Sequence, residues 1–454
     1  MSHVFNAPGA AGGRPGHDYA AALRSREERV GVWGLGYIGW STVQALVTSG
    51  LKTVGIDIDR SRVNELRASV ALSDHLDLTS EGADVLAPDV SVHFVAVPTE
   101  RDAAPYDDAI VAVFDQLVQA VAARRGRGEE ATPPLVVIES TLTPGTVATV
   151  LLPLLDKADL ELDRDLLIAL APRRDWFLAE GYNLRNLDRV YSGVGEASAE
   201  AAFGVLSILC ERLHRASSHV TGELVKCVEN AFRHVEITLA NQLSLAYPHV
   251  DMVEVLKLAG TKWNMGEFHP SFGTGGYCIP LASRYVLGGA DRHEELSILS
   301  AAIETDDRIR RTVVDSIADR GPVLVLGLAY KGSIKVATLS PAIAIVERLR
   351  ELGVPHSVHD PMYSEDEING LLGAGTATTD LGRAVAEAAT VLIVADHEGF
   401  RHNPYQRLLS AERERPLLIL DNYGALERQV WPDHVEYHRA GNAGWIADRD
   451  GAPA

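Results

Sequence analysis

At 454 residues, the chain is longer than a single hydrophobic core usually supports, so two or three domains are expected. Its 62 acidic residues outnumber its 42 basic residues, and the formal charge of −20 argues against nucleic acid and membrane surfaces as partners. Only three cysteines occur, without CxxC spacing, which argues against a disulfide framework or a metal site and favours a reducing cytoplasm.

The first half of the chain shows a regular alternation of short apolar segments. Residues 1–28 lack the apolar core of a signal peptide and are predicted to be a flexible tail. From residue 29 to residue 215, apolar strands such as RVGVWG, TVGIDI and VHFVAV alternate with helical patterns. This alternation predicts a parallel sheet covered by helices on both faces. No apolar run approaches the roughly 20 residues that span a bilayer.

The pattern changes between residues 216 and 315, where a helical region is predicted. Apolar residues recur at helical spacing between residues 221 and 247, which predicts one helix of roughly 26 residues, about 39 Å long. A helix of this length can bridge domains or form a dimer interface. Strands and helices alternate again from residue 316 to residue 454. The predicted fold is therefore α/β, with two Rossmann-like parallel-sheet domains joined by a central helical region.

A glycine-rich turn predicts a dinucleotide site. The segment GLGYIG follows a strand and opens a helix, and it comprises Gly34, Leu35, Gly36, Tyr37, Ile38 and Gly39. Such glycines allow a tight turn and a close approach to a pyrophosphate at the helix N-terminus. Asp57 follows the next strand, 18 residues after Gly39, where an acid contacts a ribose hydroxyl and favours NAD over NADP. Asp59 is an alternative for that contact, and a purely structural glycine turn is the alternative for the motif.

A second group of residues predicts covalent chemistry. Cys278 follows a glycine-rich segment, and a thiolate attacks an aldehyde to give a thiohemiacetal that can lose a second hydride. Lys226 and Asn230 lie four residues apart on the long helix, where a lysine and an amide can stabilise an oxyanion. A small buried thiol and a solvated helix face are the alternative interpretations.

Taken together, the motifs resemble the UDP-glucose/GDP-mannose dehydrogenase family over nearly the whole chain after the tail. The matching segments follow the family's order: GLGYIG at 34–39, Val97-Pro98-Thr99, Glu139-Ser140-Thr141, Pro144-Gly145-Thr146, Phe177-Leu178-Ala179-Glu180-Gly181, Glu223-Leu224-Val225-Lys226 to Asn230, Gly275-Gly276-Tyr277-Cys278-Ile279-Pro280, Gly327-Leu328-Ala329-Tyr330-Lys331, Ser340-Pro341 and Asp360-Pro361. An ordered series of this kind is much more specific than any single motif.

The resemblance implies a function and a domain order. It implies an NAD-binding domain at 29–215, a dimerising helical centre with the cysteine loop at 216–315, and a domain at 316–454 that binds the nucleotide of the substrate. Family members oxidise C6 of a UDP- or GDP-linked sugar twice, reduce two NAD⁺ and release a uronate after thioester hydrolysis. The implied partners are the sugar nucleotide and a second copy of the chain.

The resemblance also implies roles for individual residues. Cys278 is the nucleophile, Lys226 and Asn230 stabilise the oxyanion, Thr141 positions water, and Glu180 is a retained acid. Cofactor contacts are implied at Gly34, Gly36, Tyr37, Ile38, Gly39, Asp57, Thr99 and Thr141. Substrate contacts are implied at Phe177, Leu178, Lys226, Asn230, Gly275 and Lys331.

Four departures from the family pattern affect the predicted chemistry. Ala282 stands where the family has an aspartate, four residues after the cysteine. The family's Pro-Glu pair is lost in the segment from Pro172 to Trp176, which instead contains two arginines. The acid and the arginine of the motif KxxxxDxRxSP are replaced by Val336 and Thr338, and an Asn-Glu pair becomes Asn241-Gln242. A changed substrate pocket is expected, and thioester hydrolysis is the step most exposed to the loss of carboxylates.

Three alternative functions follow from these departures and from the cofactor motif. The first is a single oxidation to the aldehyde, or action on an unusual sugar nucleotide. The second is a pseudoenzyme that binds NAD and a sugar nucleotide without turnover, although a pure binder needs no thiol. The third is a 2-hydroxyacid-type dehydrogenase that shares only the cofactor domain, although the second α/β domain argues against it.

Overall fold

The computed structural model describes residues 17–69, 74–129, 131–174, 181, 183–402 and 404–447, which form two compact units. Unit 1 comprises the described residues up to Cys227 together with Gly288–Ala290. Unit 2 comprises Val228–Leu287 and the described residues from Asp291 onward. None of the described helices combines the length and apolar character that crossing a membrane requires.

The sheet of unit 1 contains the predicted apolar strands RVGVWG, TVGIDI and VHFVAV, and it also contains a polar edge strand at Arg212–Arg215 that the sequence did not predict. The strands of unit 1 are β1 (Arg29–Trp33), β2 (Thr53–Ile56), β3 (Leu76–Thr79), β4 (Val90–Val95), β5 (Glu100–Arg101), β6 (Ala104–Pro105), β7 (Leu135–Ile138), β8 (Leu167–Leu170), β9 (Asp188–Gly193) and β10 (Arg212–Arg215). Strands β5 and β6 form a separate small hairpin. Among the described residues the main sheet has the order β10-β9-β8-β7-β4-β1-β2-β3. Neighbouring strands of this sheet run parallel except β8 and β9, which run antiparallel. The prediction of a fully parallel sheet is therefore wrong at this pair, and an antiparallel strand within an otherwise parallel sheet is common.

Helices cover this sheet on both faces. They are α1 (Tyr19–Ser25), α2 (Tyr37–Thr48), α3 (Arg60–Ser69), α4 (Gly82–Val85), α5 (Asp108–Gly126), a π-helical turn (Val147–Leu151) that continues into α6 (Leu152–Lys157), and α7 (Glu196–Leu209). The prediction of a flexible tail over residues 1–28 is wrong for α1, because Tyr19 and Leu23 are buried in the core of unit 1. Helix α8 (His219–Ala246) has 28 residues and begins in unit 1 and ends in unit 2, which confirms the predicted long helix.

Unit 2 contains a second sheet, and all of its described strand pairs are parallel. The strands are β11 (Val323–Leu326), β12 (His356–His359), β13 (Thr390–Ile393), β14 (Leu417–Asp421) and β15 (Val435–Arg439), in the order β12-β11-β13-β14-β15. Its helices are α9 (Met252–Ala259), α10 (Ile279–Gly288), α11 (Ser297–Asp315), α12 (Pro341–Glu351), α13 (Glu365–Leu372), α14 (Leu381–Glu387), α15 (Tyr405–Leu409) and α16 (Gly444–Ala447), with 3₁₀ turns at His293–Glu295 and Glu398–Arg401. The two sheets, parallel throughout except at β8 and β9, confirm the predicted α/β fold class.

A buried ionic cluster holds the start of α2 against the sheet of unit 1. The Glu139 carboxylate, completely buried, accepts hydrogen bonds from Thr42 Oγ1 and Arg189 Nη2, each at 2.5 Å. The guanidinium of Arg173 lies 3.6 Å from the same carboxylate and donates to Ser41 Oγ at 2.5 Å and to Thr42 Oγ1. Arg173 departs from the family pattern, but its side chain is only 5% exposed and is paired within this cluster. Its role is therefore structural, and a changed substrate pocket does not follow from this arginine.

Removing the charge of Glu139 tests the importance of this cluster. We expect Glu139→Gln to lower the free energy of unfolding by about 3 to 5 kcal/mol, because two buried guanidinium groups lose their carboxylate. Urea denaturation followed by circular dichroism measures this change. In the matched control, Glu65→Gln removes an exposed partner that lies 2.9 Å from Arg62, and we expect a loss below about 1 kcal/mol. Equal losses for the two variants would contradict the structural role of Glu139.

Candidate active site

The glycine turn of unit 1 has the geometry of an anion site. Gly34 has a φ of +86°, and a Cβ there would lie 2.5 Å from the carbonyl oxygen of Ala96. A Cβ at Gly39 would lie 1.8 Å from the carbonyl oxygen of Gly34, so the turn packs against the helix only with glycine. Gly36 precedes α2 directly, and a Cβ there would meet no described atom within 4 Å. The open side of the turn and the N–H groups at the start of α2 fit a pyrophosphate.

Asp57 lies beside this turn at the end of β2. Its half-buried carboxylate accepts hydrogen bonds from the backbone N–H groups of Leu35, at 2.7 Å, and Asp59, at 3.0 Å. Asp59 is exposed and accepts from Ser61 N at 2.8 Å, within the first turn of α3. The geometry therefore favours Asp57 over Asp59 as the acid that faces a bound ribose. Tyr37 and Ile38, the other residues of the turn assigned to the cofactor, begin α2 and are exposed and half-buried respectively.

Two threonines assigned to the cofactor lie together at the end of the sheet of unit 1. Thr99 is buried, and its hydroxyl donates to the carbonyl oxygen of Thr141 at 2.6 Å. The segment after Thr141 is fixed by Glu223 of α8, whose carboxylate accepts from Gly145 N at 2.8 Å and Val147 N at 2.9 Å. Burial raises the pKa of Glu223, although these two N–H groups oppose that change. Sequence analysis assigned Glu223 no role, because its partners are backbone groups nearly eighty residues away.

Phe177, Leu178 and Glu180 lie outside the described residues. Lys226 lies on α8 within unit 1 and is half-buried. One turn further along the same helix, Asn230 is also half-buried and belongs to unit 2. The i, i+4 spacing puts both polar groups on one face of α8.

Cys278 is exposed and directly precedes α10, which rules out the buried-thiol alternative. By contrast, Cys210 and Cys227 are buried, as expected for small core residues, and burial raises the pKa of Cys227 to about 12. The three thiols therefore differ in access to solvent, and Cys278 alone among them can meet a ligand directly.

The glycines before Cys278 are required by packing within unit 2. A Cβ at Gly275 would lie 2.7 Å from Tyr330 Cβ, and one at Gly276 would lie 2.8 Å from the Tyr330 ring. The N–H of Gly276 donates to Thr338 O at 3.0 Å, and Thr338 Oγ1 donates to Tyr277 Oη at 2.9 Å. Thr338 therefore replaces the family's arginine with a neutral contact to the cysteine loop. The contact of Gly275 with substrate remains a prediction.

A buried polar network on α11 binds the segment that precedes Cys278. The Asp306 carboxylate accepts from Thr274 N at 2.7 Å and from Thr274 Oγ1 at 2.8 Å. Arg310 pairs with Asp306 and donates to Thr274 O at 3.0 Å. Sequence analysis missed both residues, because an acid and an arginine four residues apart on a helix are indistinguishable from a common surface pair.

Further contacts tie this loop and α10 to α8. Asn241, which is 1% exposed, accepts from Ser271 N at 2.7 Å through Oδ1, so this amide has a structural role. His234 Nδ1 lies 2.9 Å from Ser283 Oγ, and burial lowers the pKa of His234. Ser283 follows Ala282, which is buried where the family has an aspartate. The position of the missing carboxylate therefore adjoins a neutral hydrogen-bonded pair.

Lys331 lies in the loop after β11 and is exposed. A cavity of about 450 Å³ lies at the carboxyl end of β14, and its lining includes Arg401, Gln406, Tyr423 and Arg428. Tyr423 also donates through its hydroxyl to Tyr330 O at 3.4 Å, so the cavity adjoins the loop that carries Lys331. A cavity of this size falls within the range of small-molecule sites.

Comparisons with known proteins identify the family of the chain. Three models of the UDP-glucose/GDP-mannose dehydrogenase family match: the NAD binding domain at 28–209, the central domain at 220–308 and the UDP binding domain at 324–428. UDP-N-acetyl-D-mannosamine dehydrogenase of Methanocaldococcus jannaschii is 27% identical over 428 residues, which cover 89% of this chain and 94% of that protein. UDP-N-acetyl-D-glucosamine 6-dehydrogenase of Pseudomonas aeruginosa is 27% identical over 372 residues, covering 75% and 85%.

Solved structures show the same fold. A UDP-D-ManNAc dehydrogenase from Pyrococcus horikoshii matches with a TM-score of 0.75 at 24% identity, covering 92% of this chain and 100% of that one. A UDP-glucose dehydrogenase from Pyrobaculum islandicum matches with a TM-score of 0.75 at 22% identity, covering 91% and 98%. The chain therefore belongs to the UDP-glucose/GDP-mannose dehydrogenase family and is an NAD-dependent oxidoreductase.

Proposed function

We propose that the enzyme oxidises the C6 alcohol of a UDP-linked sugar to the carboxylate, through a thiohemiacetal and a thioester on Cys278. The observation that carries the proposal is the exposed thiol of Cys278, at the end of a glycine loop braced by Tyr330 and Asp306. The relatives from Methanocaldococcus jannaschii and Pseudomonas aeruginosa are named for UDP-linked N-acetylhexosamines, and these sugars are the first substrate class to test.

The proposed sequence of steps balances in electrons and protons. Bound NAD⁺ supplies the chemistry of hydride acceptance. The C6 alcohol loses a hydride and a proton, and the thiol of Cys278 adds to the resulting aldehyde. The thiohemiacetal then loses a second hydride and a proton, and water hydrolyses the thioester to the carboxylate and the free thiol. One sugar therefore consumes two NAD⁺ and one water.

The remaining residues act by holding charge and water. In this proposal Lys226 and Asn230 donate hydrogen bonds to the oxygen that becomes negative at C6, which is commonly worth about 10²–10³ in kcat for one such donor. Thr141 positions the hydrolytic water. The GLGYIG turn, Asp57 and Thr99 hold the cofactor, and Lys331 contacts the nucleotide of the substrate.

The proposal requires a free thiol, which a cytoplasmic location maintains.

Ala282 favours a second candidate function, a single oxidation that stops at the aldehyde or a thioester that hydrolyses slowly. General acid–base groups are typically worth about 10²–10⁴ in rate, so the missing carboxylate matters most at hydrolysis.

Counting NADH per molecule of sugar nucleotide decides between these functions. We expect two NADH per sugar with limiting UDP-N-acetylhexosamines, and lower activity with GDP-linked hexoses. One NADH per sugar would favour the aldehyde product or a stalled thioester, and the intact mass of the protein separates those two. No NADH with any UDP- or GDP-linked hexose or N-acetylhexosamine would favour the pseudoenzyme.

Cys278→Ser tests the covalent step. A serine hydroxyl is a much weaker nucleophile than a thiolate at neutral pH, so we expect the yield to fall from two NADH per sugar to at most one. Cys210→Ser, a change at a buried cysteine, should keep the yield at two. A yield of two with Cys278→Ser would contradict the thioester mechanism.

We also propose that the enzyme is a homodimer that pairs through α8. The apolar side chains exposed on α8 recur at intervals of four and seven residues and therefore share one face: Val220, Leu224, Val228, Phe232 and Leu239. Phe232 is 62% exposed. An apolar face of this length on a 28-residue helix is typical of a surface buried between subunits.

Phe232→Asp tests the proposed interface. We expect dissociation to monomers at micromolar concentration, because a charge at a buried aromatic contact costs about 2 kcal/mol or more of association. Light scattering after gel filtration measures the mass. Leu371→Asp changes a residue of α13 that is 53% exposed and should leave the dimer intact. An unchanged dimer mass with Phe232→Asp would exclude this face.

A further inference from the structure

The loop between β11 and α12 is held by acceptors from two neighbouring strand ends. The Asp360 carboxylate, at the end of β12, accepts through Oδ2 from Leu328 N at 2.7 Å and from Ala329 N at 3.1 Å. Asp396, after β13, accepts from Gly332 N at 2.9 Å. These bonds fix the backbone on both sides of Tyr330 and Lys331.

His397 supplies one further acceptor to this loop. Its Nδ1 accepts from Ser333 N at 3.2 Å, so the ring proton resides on Nε2, which lies 3.0 Å from Asp360 Oδ2. His397 is 2% exposed, and the ring of Phe400 packs edge-on against it at 5.3 Å. Burial alone would raise the pKa of Asp360, but the bond from His397 and the backbone N–H groups hold that pKa below its usual value. The imidazole is therefore held in one tautomer and one orientation.

The backbone at Ser333 needs such a restraint. Ser333 has a φ of +62°, a left-handed conformation that a residue with a side chain adopts only when its surroundings enforce it. The preceding position has no room for a side chain, since a Cβ at Gly332 would lie 2.2 Å from Asp396 O. The hydrogen bond from Ser333 N–H to His397 therefore acts together with the bond from Gly332 N–H to Asp396 to hold the chain after Lys331.

We propose that His397 is a positioning residue for nucleotide binding. The neutral imidazole, oriented by Asp360, holds Ser333 N–H and thereby fixes Lys331 where the nucleotide of the substrate binds. This inference rests on the proposed function, in which Lys331 contacts that nucleotide. Tyr330 is restrained separately, because its N–H donates to Val336 O at 3.0 Å and its carbonyl accepts from Tyr423. Loss of the His397 contact should therefore weaken nucleotide binding while the cysteine loop keeps its support.

Three substitutions separate the two hydrogen bonds of His397. The amide of His397→Asn can occupy the place of Nδ1 and accept from Ser333, whereas His397→Gln can reach Asp360 but not Ser333. His397→Leu keeps neither bond. We expect the Kd for UDP, measured by calorimetry, and the KM for the sugar nucleotide to rise about tenfold for Leu and Gln, because the N–H of Ser333 loses its acceptor and the left-handed backbone there loses a restraint. For Asn we expect both to stay within about threefold, with kcat and the Kd for NAD unchanged in each variant.

Two results would overturn the inference. One is a wild-type Kd for UDP in the Gln variant combined with weak binding in the Asn variant. The other is unchanged UDP binding in both. If the Leu variant fails to fold, the comparison of Asn with Gln still decides. Absence of UDP binding by the folded wild-type enzyme would instead overturn the proposed function itself.

Discussion

A carboxylate that accepts the backbone N–H groups of a glycine turn is the interaction on which both units depend. In unit 1, Asp57 at the end of β2 accepts from Leu35, and in unit 2, Asp360 at the end of β12 accepts from Leu328. Each turn begins with a glycine at positive φ, +86° at Gly34 and +94° after β11. Where the backbone turns out of each sheet, its N–H groups no longer meet a carbonyl oxygen of the neighbouring strand. In both sheets the carboxylate is the hydrogen-bond acceptor that replaces this carbonyl oxygen.

The two units use this shared device for different purposes. Asp57 stays half-buried, and α2 begins three residues after Gly34, so a helix N-terminus faces the open side of the turn. Asp360 is completely buried beneath His397, and the chain runs through an exposed loop before α12 begins. In the proposed function, one turn presents backbone N–H groups to the pyrophosphate of the cofactor, whereas the other presents the side chain of Lys331 to the substrate.

The sequence predicts what short-range patterns determine. Apolar strands, the GLGYIG turn and the spacing on α8 predicted both sheets and the long helix, because each rests on neighbours along the chain. The supports of the site were not predictable in this way. Asp306, His397 and Glu223 act on backbone groups at distant positions, and Arg173 pairs with Glu139 across the fold. A single sequence shows that such a residue is charged, but not which N–H group or carboxylate it will meet.

The departures from the family pattern follow one physical trend around the cysteine. The arginine of the C-terminal motif is replaced by Thr338, which meets Tyr277 as a neutral pair, and the lost aspartate adjoins the neutral Ser283–His234 pair. The family's acids are also lost at Val336 and Gln242, so the replacements remove mainly carboxylates. In the proposed mechanism, proton transfer is therefore affected more than cysteine addition and hydride removal. In the proposed mechanism, hydrolysis needs a proton acceptor for water, and α10 no longer provides a carboxylate four residues after Cys278. The rate of thioester breakdown is therefore the quantity in which this enzyme should differ most from its relatives.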